Sequence, residues 1–252
     1  MTRIAAVGDI HVGPDSVERT ADGLRRVHER ADVLLLAGDL TRCGEAAEAE
    51  LVAASLRDVQ VPVVAVLGNH DHHADSQAEV ARILEDVGVR VLDGSSTIVE
   101  VDGTRLGIAG AKGFGGGFAG ASGSAFGEAA MKAFMAETQC EAAALHDALV
   151  DLVAARADHR IALLHYSPVP ETLRGEHLEI YPFLGSYLLA EAVDTAGADL
   201  VLHGHAHAGS ERGMTPGGVR VRNVAQPVIQ HAYRVFDLQV TAPDTGAVAA
   251  PA

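Results

Sequence analysis

Basic residues, aromatics, cysteines and long apolar runs are all scarce in this chain, and each scarcity excludes something. Only 19 of the 252 residues are Lys or Arg, against 34 Asp or Glu, for a formal net charge of −15. With all 13 histidines protonated the charge would still be negative. A generic electrostatic hold on nucleic-acid phosphate or on an anionic membrane is therefore not expected. Tryptophan is absent, and four Tyr and six Phe are too few for a base-stacking platform. The two cysteines, Cys43 and Cys140, stand far apart and form neither a disulfide framework nor a metal-binding pair. No apolar run approaches the ~20 residues of a membrane span. The N-terminal residues pass directly into a short strand, without the apolar segment of a signal peptide. A soluble, reduced, cytoplasmic protein is expected.

What is present suffices for one large core. Apolar residues make up 48% of the chain, and the length is near the limit for a single domain. One domain is expected over residues 1–240, followed by a disordered Ala/Pro/Gly tail over 241–252. The first ninety residues alternate in period. Apolar runs at 3–7, 32–37 and 61–67 read as buried strands, and 14–30, 45–56 and 77–87 as helices. This repetition argues for parallel βαβ units covered on both faces. Residues 97–101 and 105–109 flank Asp102-Gly103, a strong hairpin signal. Gly110 to Gly123 is too glycine-rich for a regular element and reads as a mobile flap. A long helix is expected over 125–155, with a break near Thr138-Gln139. Strands at 160–164 and 199–202 and a helix at 187–195 follow. The alternation around Val219, Val221 and 235–240 suggests antiparallel strands.

Five polar clusters sit just past strand ends: Asp9 with His11, Asp39, Asn69 with His70, His165, and His205 with His207. In α/β sheets this is the edge where ligands bind. Carboxylate, amide and imidazole groups without cysteine suit Mn, Fe or Zn. Seven ligands from these eight residues exceed the needs of one ion, and two ions sharing a carboxylate would use all seven.

The blocks Gly8-Asp9-Ile10-His11, Gly38-Asp39, Gly68-Asn69-His70-Asp71, His165 and Gly204-His205-Ala206-His207 occur in an order that resembles the calcineurin-like metallophosphoesterase superfamily. The resemblance implies an α/β fold, a four-layer α/β/β/α sandwich of two mixed sheets flanked by helices. It implies that Asp9, His11 and His207 hold one transition-metal ion and Asn69, His165 and His205 a second, with Asp39 bridging. His70 would face the scissile phosphate without binding metal. Two ions about 3.5–4 Å apart activate a shared water for in-line attack on phosphorus, and His70 would assist at the leaving group. Val12 and the stretch Leu40 to Gly44 depart from the Ser/Thr protein phosphatase pattern. Gly38-Asp39-Leu40-Thr41 and His165-x-x-Pro168 are similar to the bacterial branch that includes cyclic-nucleotide phosphodiesterases, though His72-His73 follows Asp71 without the Arg often found there. A small phosphate ester is the expected substrate, a phosphodiester ahead of a monoester. A phosphomonoesterase or protein phosphatase, and a non-catalytic metal-binding scaffold, are the alternatives.

Other residues invite plainer readings. His203 ends a buried strand and should donate a supporting hydrogen bond. His72 and His73 read as solvated loop residues near the mouth of the site. His28, His146, His159, His177 and His231 carry no motif and are expected on surfaces. Arg42 is expected at the start of a helix and exposed. Lys112 does not belong to a P-loop. Phe114, Phe118, Phe126 and Phe134 mark an apolar wall or a dimer contact, and the sequence leaves both open.

Overall fold

Strands that are apolar at every position need cover on both faces, and that requirement sets the layering. The computed structural model describes residues 2–238. The expected tail at 241–252 lies outside them. The chain runs β1 (Thr2–Val7), α1 (Val17–Leu24), β2 (Val33–Ala37), α2 (Ala46–Leu56), β3 (Val63–Val66), α3 (Gln77–Glu85) and β4 (Val89–Leu92). The β5–β6 hairpin (Ser95–Val101, Thr104–Ala111) and the short pair β7 (Gly117–Phe118) and β8 (Ala121–Ser122) come next. After α4 (Ala129–Ala154) follow β9 (His159–Leu164), α5 (Tyr181–Leu184), α6 (Tyr187–Ala196), β10 (Leu200–His203), β11 (Arg212–Met214), β12 (Arg220–Asn223), α7 (Gln226–Ile229) and β13 (Arg234–Leu238).

Two large sheets result, ordered β13-β1-β2-β3-β4 and β11-β12-β10-β9-β6-β5. Alternate residues of each strand point to opposite faces. In β2, Leu34 and Leu36 pack under the first helices, while Val33 and Leu35 face the second sheet. In β9, Ile161 and Leu163 face the first sheet, and Ala162 and Leu164 pack against α4 and α6. Three buried layers of apolar side chains thus lie between four layers of secondary structure. This is the expected α/β/β/α sandwich. No helix among the described residues is long and apolar enough to cross a membrane.

The Asp102-Gly103 turn forms as expected, with both residues at positive φ (47° and 80°), which the twist of a two-residue hairpin requires. Several other expectations are corrected. β4 is a four-residue edge strand with one exposed position, too short for periodicity to reveal. β12 pairs antiparallel with β11 but parallel with β10. α4 is unbroken over 26 residues. The Thr138 hydroxyl spans from the Phe134 carbonyl to that of Gly115, so it holds the helix to a neighbouring segment without interrupting it. His159 is buried at the start of β9.

The glycine-rich segment is packed into the fold up to Phe118 and exposed over Ala119 to Ser122. Gly110 and Ala111 complete β6, and Gly117 to Ser122 makes its own small hairpin. Gly116 N–H donates to the Pro182 carbonyl and Gly117 N–H to that of Gly185. The glycines allow the chain to pass close to its neighbours. At Gly110, between the sheets, an added Cβ would meet Leu92 Cβ at 2.5 Å and Val66 Cγ1 at 2.8 Å. Gly110→Val should therefore destabilise the protein by roughly 1–3 kcal/mol through overpacking. Gly120→Asn, in the open β7–β8 turn at φ 84°, should change stability by less than about 0.5 kcal/mol. Urea unfolding of the two variants tests the assignment, and equal midpoints would contradict it.

Candidate metal centre

Five connections leave the strand ends at one edge of the sandwich, and they carry every cluster expected from the sequence. Asp9, His11, Asp39 and His207 each bring one ligand atom to within 4.8 Å of the others, and Asp39, His165 and His205 form a second such group. Asp39 belongs to both. Asn69 joins the second group through its Oδ1, 2.8 Å from His165 Nε2. His70 stands at the edge, with its backbone N–H donating to Asp39 Oδ1 at 2.8 Å and its ring half-exposed. The structure thus brings together all eight residues singled out in the sequence.

The local backbone is bent to achieve this. Asp9, His11, Asp39 and His205 have positive φ values of 56°, 40°, 52° and 69°. Residues other than glycine adopt that region at a cost, and such residues cluster at functional sites. The motif glycines answer a different need, close approach. A Cβ on Gly68 would collide with the Asp39 carboxylate, and one on Gly204 with that of Asp9.

Histidine orientation determines what the site can hold. A carbonyl can only accept, so a ring nitrogen facing one carries the proton. His11 Nδ1 faces the Thr41 carbonyl (3.1 Å), His165 Nδ1 that of Ala37 (2.9 Å), and His70 Nδ1 that of Arg42 (2.7 Å). His205 Nε2 faces the Phe183 carbonyl (3.3 Å). The second nitrogens of His11, His70 and His165 then lie 3.8, 3.9 and 3.3 Å from Asp39 oxygens. Of these, the lone pairs of His11 and His165, aimed at carboxylate and amide oxygens, need a cation between them.

Charge leads to the same requirement. Asp9 and Asp39 are 3% and 1% exposed, and among the described residues only histidines lie in ion-pair range of them. Burying carboxylates without a fixed cation is expensive. Burial works to raise the Asp9 carboxyl, but the His207 hydrogen bond (2.8 Å), His165 and the His205 N–H hold it below the usual range. That hydrogen bond raises the His207 imidazole in turn. Burial pushes His205 down to about 3, so it is a neutral donor at neutral pH. The donor set fits a pair of borderline transition-metal ions.

Supporting residues fill in what the motifs left open. Asp71, fully buried, accepts from the N–H groups of Leu40, Thr41 and Gly68 and from the Thr41 hydroxyl. It locks the loop after β2 to the loop after β3. Its place in the Gly-Asn-His-Asp block was the available signal. Tyr166 packs its ring 4.3 Å from that of His205, and burial raises its phenol to about 12; only its position after His165 could have marked it. His203 behaves as expected, spanning the Gly204 carbonyl (2.7 Å) and the Thr172 hydroxyl (2.8 Å). Burial lowers it to about 4. His72 is half-buried and His73 exposed. Arg42 lies before α2, where its Nε donates to the His11 carbonyl at 3.0 Å. Lys112 forms a mostly buried ion pair with Glu141 at 2.9 Å. Phe114 and Phe134 pack together at 5.1 Å, Phe118 is buried and Phe126 is exposed.

This fold and site place the protein in a class, the metal-dependent hydrolases of phosphoric esters. The sequence matches the calcineurin-like phosphoesterases over residues 2–209, and the chain belongs to that family. Among solved structures it is similar to the phosphopantetheinyl hydrolase PptH from Mycobacterium tuberculosis, with 15% identity, TM-score 0.68, and coverage of 99% of this chain and 98% of that one. TT1561 of Thermus thermophilus shares 19% identity, with TM-score 0.54 and 88% of each chain. A 5′-nucleotidase precursor from the same organism shares 16%, with TM-score 0.54, 88% of this chain and 48% of that one. No curated protein matches the sequence significantly.

Because His207 is raised, the metal-free protein holds its proton to higher pH than a free imidazole, and a metal must displace that proton. The His207–Asp9 pairing stabilises the metal-free fold while Asp9 is ionised and His207 protonated; it fades in acid as Asp9 takes up a proton and again as pH rises through the raised His207 value. Metal affinity should run the opposite way, rising with pH through that range. Calorimetry of metal binding in buffers of different ionisation enthalpy should show proton release near pH 7. Binding without proton release would contradict the assignment.

Proposed function

We propose that the chain hydrolyses a small phosphoric ester, a diester ahead of a monoester, at a two-metal site. Asp9, His11 and His207 would hold one ion, Asn69, His165 and His205 the other, and Asp39 both. The observation that carries this reading is the set of imidazoles that each spend one nitrogen on a backbone carbonyl and leave the other for the two buried carboxylates. Bound there, Mn, Fe or Zn ions would supply Lewis-acid polarisation of the phosphoryl oxygens and activation of a water.

The chain's own groups divide the remaining work. Ala37, Thr41 and Phe183 fix ring orientations through their carbonyls. Asp71 holds the two loops that present Asp39 and Asn69. His70 is anchored by Arg42 through Nδ1–H, which leaves Nε2 at the mouth; in the doubly protonated form of the ring, Nε2–H would give its proton to a leaving oxygen and return to the neutral imidazole. The Gly-Asp-Leu-Thr block and Pro168 favour a diester. A phosphopantetheinyl ester is a candidate of that class, since the hydrolase of that name shares the full length of this fold. The monoesterase and protein phosphatase alternatives use the same groups, and substrate panels decide among them. A non-catalytic scaffold fits less well, because every expected ligand and His70 are in place.

Protein purified without chelator should carry close to two metals per chain by elemental analysis. Asp39→Asn should weaken both sites and nearly abolish turnover, while Asp9→Asn should weaken mainly one. A near wild-type rate for Asp39→Asn at saturating metal would exclude the bridging role.

His70→Ala separates two roles for that residue. A general acid is worth about 10²–10⁴-fold, or about 3–5 kcal/mol, with a poor leaving group. The variant should therefore lose far more activity on an alkyl ester than on a nitrophenyl ester, with metal content retained. Equal losses on both substrates would rule out proton transfer by His70.

A further inference from the structure

The two sides of the metal centre present different chemistry, and the division runs through Asp39. The rings of His11 and His70 face its Oδ2, at 3.8 and 3.9 Å, and the ring of His165 faces its Oδ1, at 3.3 Å. On the Oδ2 side the partly exposed groups are imidazoles. His11 packs edge-on against His70 and His207, with ring centroids 4.7 and 5.4 Å apart.

On the Oδ1 side the groups are Tyr and Phe. Tyr166 packs on His205 at 4.3 Å, and contacts pass from Tyr166 to Phe114 (5.9 Å), Phe134 (5.1 Å) and Phe183 (6.4 Å). Three of the chain's six Phe stand in this row. Two further contacts tie it to the residues expected to hold the second ion. The Phe183 carbonyl faces His205 Nε2 at 3.3 Å. The carbonyl of Lys112, two residues before Phe114, accepts from the N–H groups of His165 and Tyr166 at 3.1 and 3.0 Å. Phe134 and Phe183 converge on Gly115, where an added Cβ would meet Phe134 Cζ at 3.1 Å and Phe183 Cα at 3.2 Å. The charged pair beside the row, Lys112 with Glu141, is mutually neutralised.

Core packing does not account for the outer end of this row. Phe114 and Phe134 are half-buried, and Phe183 is 60% exposed. Its segment carries two more exposed apolar side chains, Leu178 and Ile180. Clustered exposed apolar groups mark a surface that something covers. The backbone of Phe183 touches a ring of the centre itself, so the organic part of an ester held there lies within reach of the row.

We infer that the row from Tyr166 to Phe183 receives an apolar organic group of the substrate, the one that stays on phosphorus while the leaving group departs beside His70. The inference rests on the phosphoesterase reading and extends it to substrate class, a diester with one apolar arm. Position decides which arm is retained, because the His70 ring lies on the Oδ2 side and the aromatic row on the Oδ1 side. In the reaction the oxygen of water bonds to phosphorus and the P–O bond to the leaving group breaks in line with it. The leaving oxygen takes a proton, and the products are an alcohol and the monoester of the apolar group.

The test uses two nitrophenyl phosphodiesters, one with methyl and one with benzyl as the second arm. Nitrophenolate leaves from both, so the second arm is the group that stays on phosphorus. The benzyl ester should have a kcat/KM about tenfold higher, less than full burial of a phenyl ring is worth. Phe183→Ala and Phe134→Ala should each shrink that ratio, whereas loss of structure or metal lowers both rates together and leaves the ratio unchanged. Equal kcat/KM values in the wild type, or a ratio that neither substitution moves, overturns the inference. Hydrolysis of neither ester overturns the phosphoesterase reading instead. In that case calorimetry of the Mn-loaded protein with methylphosphonate and benzylphosphonate decides. A Kd about tenfold lower for benzylphosphonate, lost in Phe183→Ala, upholds the apolar wall, and no binding, or equal binding of the two, overturns it.

Discussion

Two carboxylates, Asp9 and Asp39, are buried at the ends of the first two strands, where imidazoles and backbone N–H groups face them. Much else in the molecule follows from their placement. Isolated negative charge in a weakly polarisable interior is not tolerated, so the surrounding chain supplies every available dipole. The His205 and His70 N–H groups point at these carboxylates, and His11, His165 and His205 are turned by carbonyls so that a bare nitrogen is left on the inner side. Motif glycines then follow from crowding: Gly68 and Gly204 lie where a methyl group would strike the carboxylates.

The same edge is held from beneath by groups that never reach it. Asp71 gathers four donors from the loops after β2 and β3. A chain of hydroxyls, Ser167 to Thr172 to His203, lies under the loops after β9 and β10. Both assemblies are buried and fully hydrogen-bonded, the condition under which polar networks rigidify their surroundings. Loops that would otherwise vary are thereby held in one arrangement.

Most of this was legible in the sequence, for definite reasons. Continuous apolar runs such as Val33–Ala37 announce strands buried on both faces, and Gly-Asp or Asn-His pairs at their ends announce the edge where the strands stop. The eight site residues were readable because each is tied to a strand terminus. What escaped depends on contacts distant in sequence. Thr138 reads locally as a helix-weakening residue, but its hydroxyl meets Gly115, 23 positions away. Gly110 to Gly123 reads as flexible because glycine has no intrinsic preference, and only the neighbours it packs against, such as Leu92 and Pro182, remove that freedom. His159 shows no motif because burial at a strand start leaves no local mark.

The left-handed backbone at Asp9, His11, Asp39 and His205 sets the candidate centre against the stability of the fold. Each of these residues sits in a conformation that costs of order 1–3 kcal/mol outside glycine, comparable in sum to the whole stability of a domain. Replacing them by glycine would relieve that strain, and neutral residues at Asp9 and Asp39 would also remove buried charge. The strain at these four positions is therefore a stability cost confined to the candidate centre, one that the rest of the sandwich must offset.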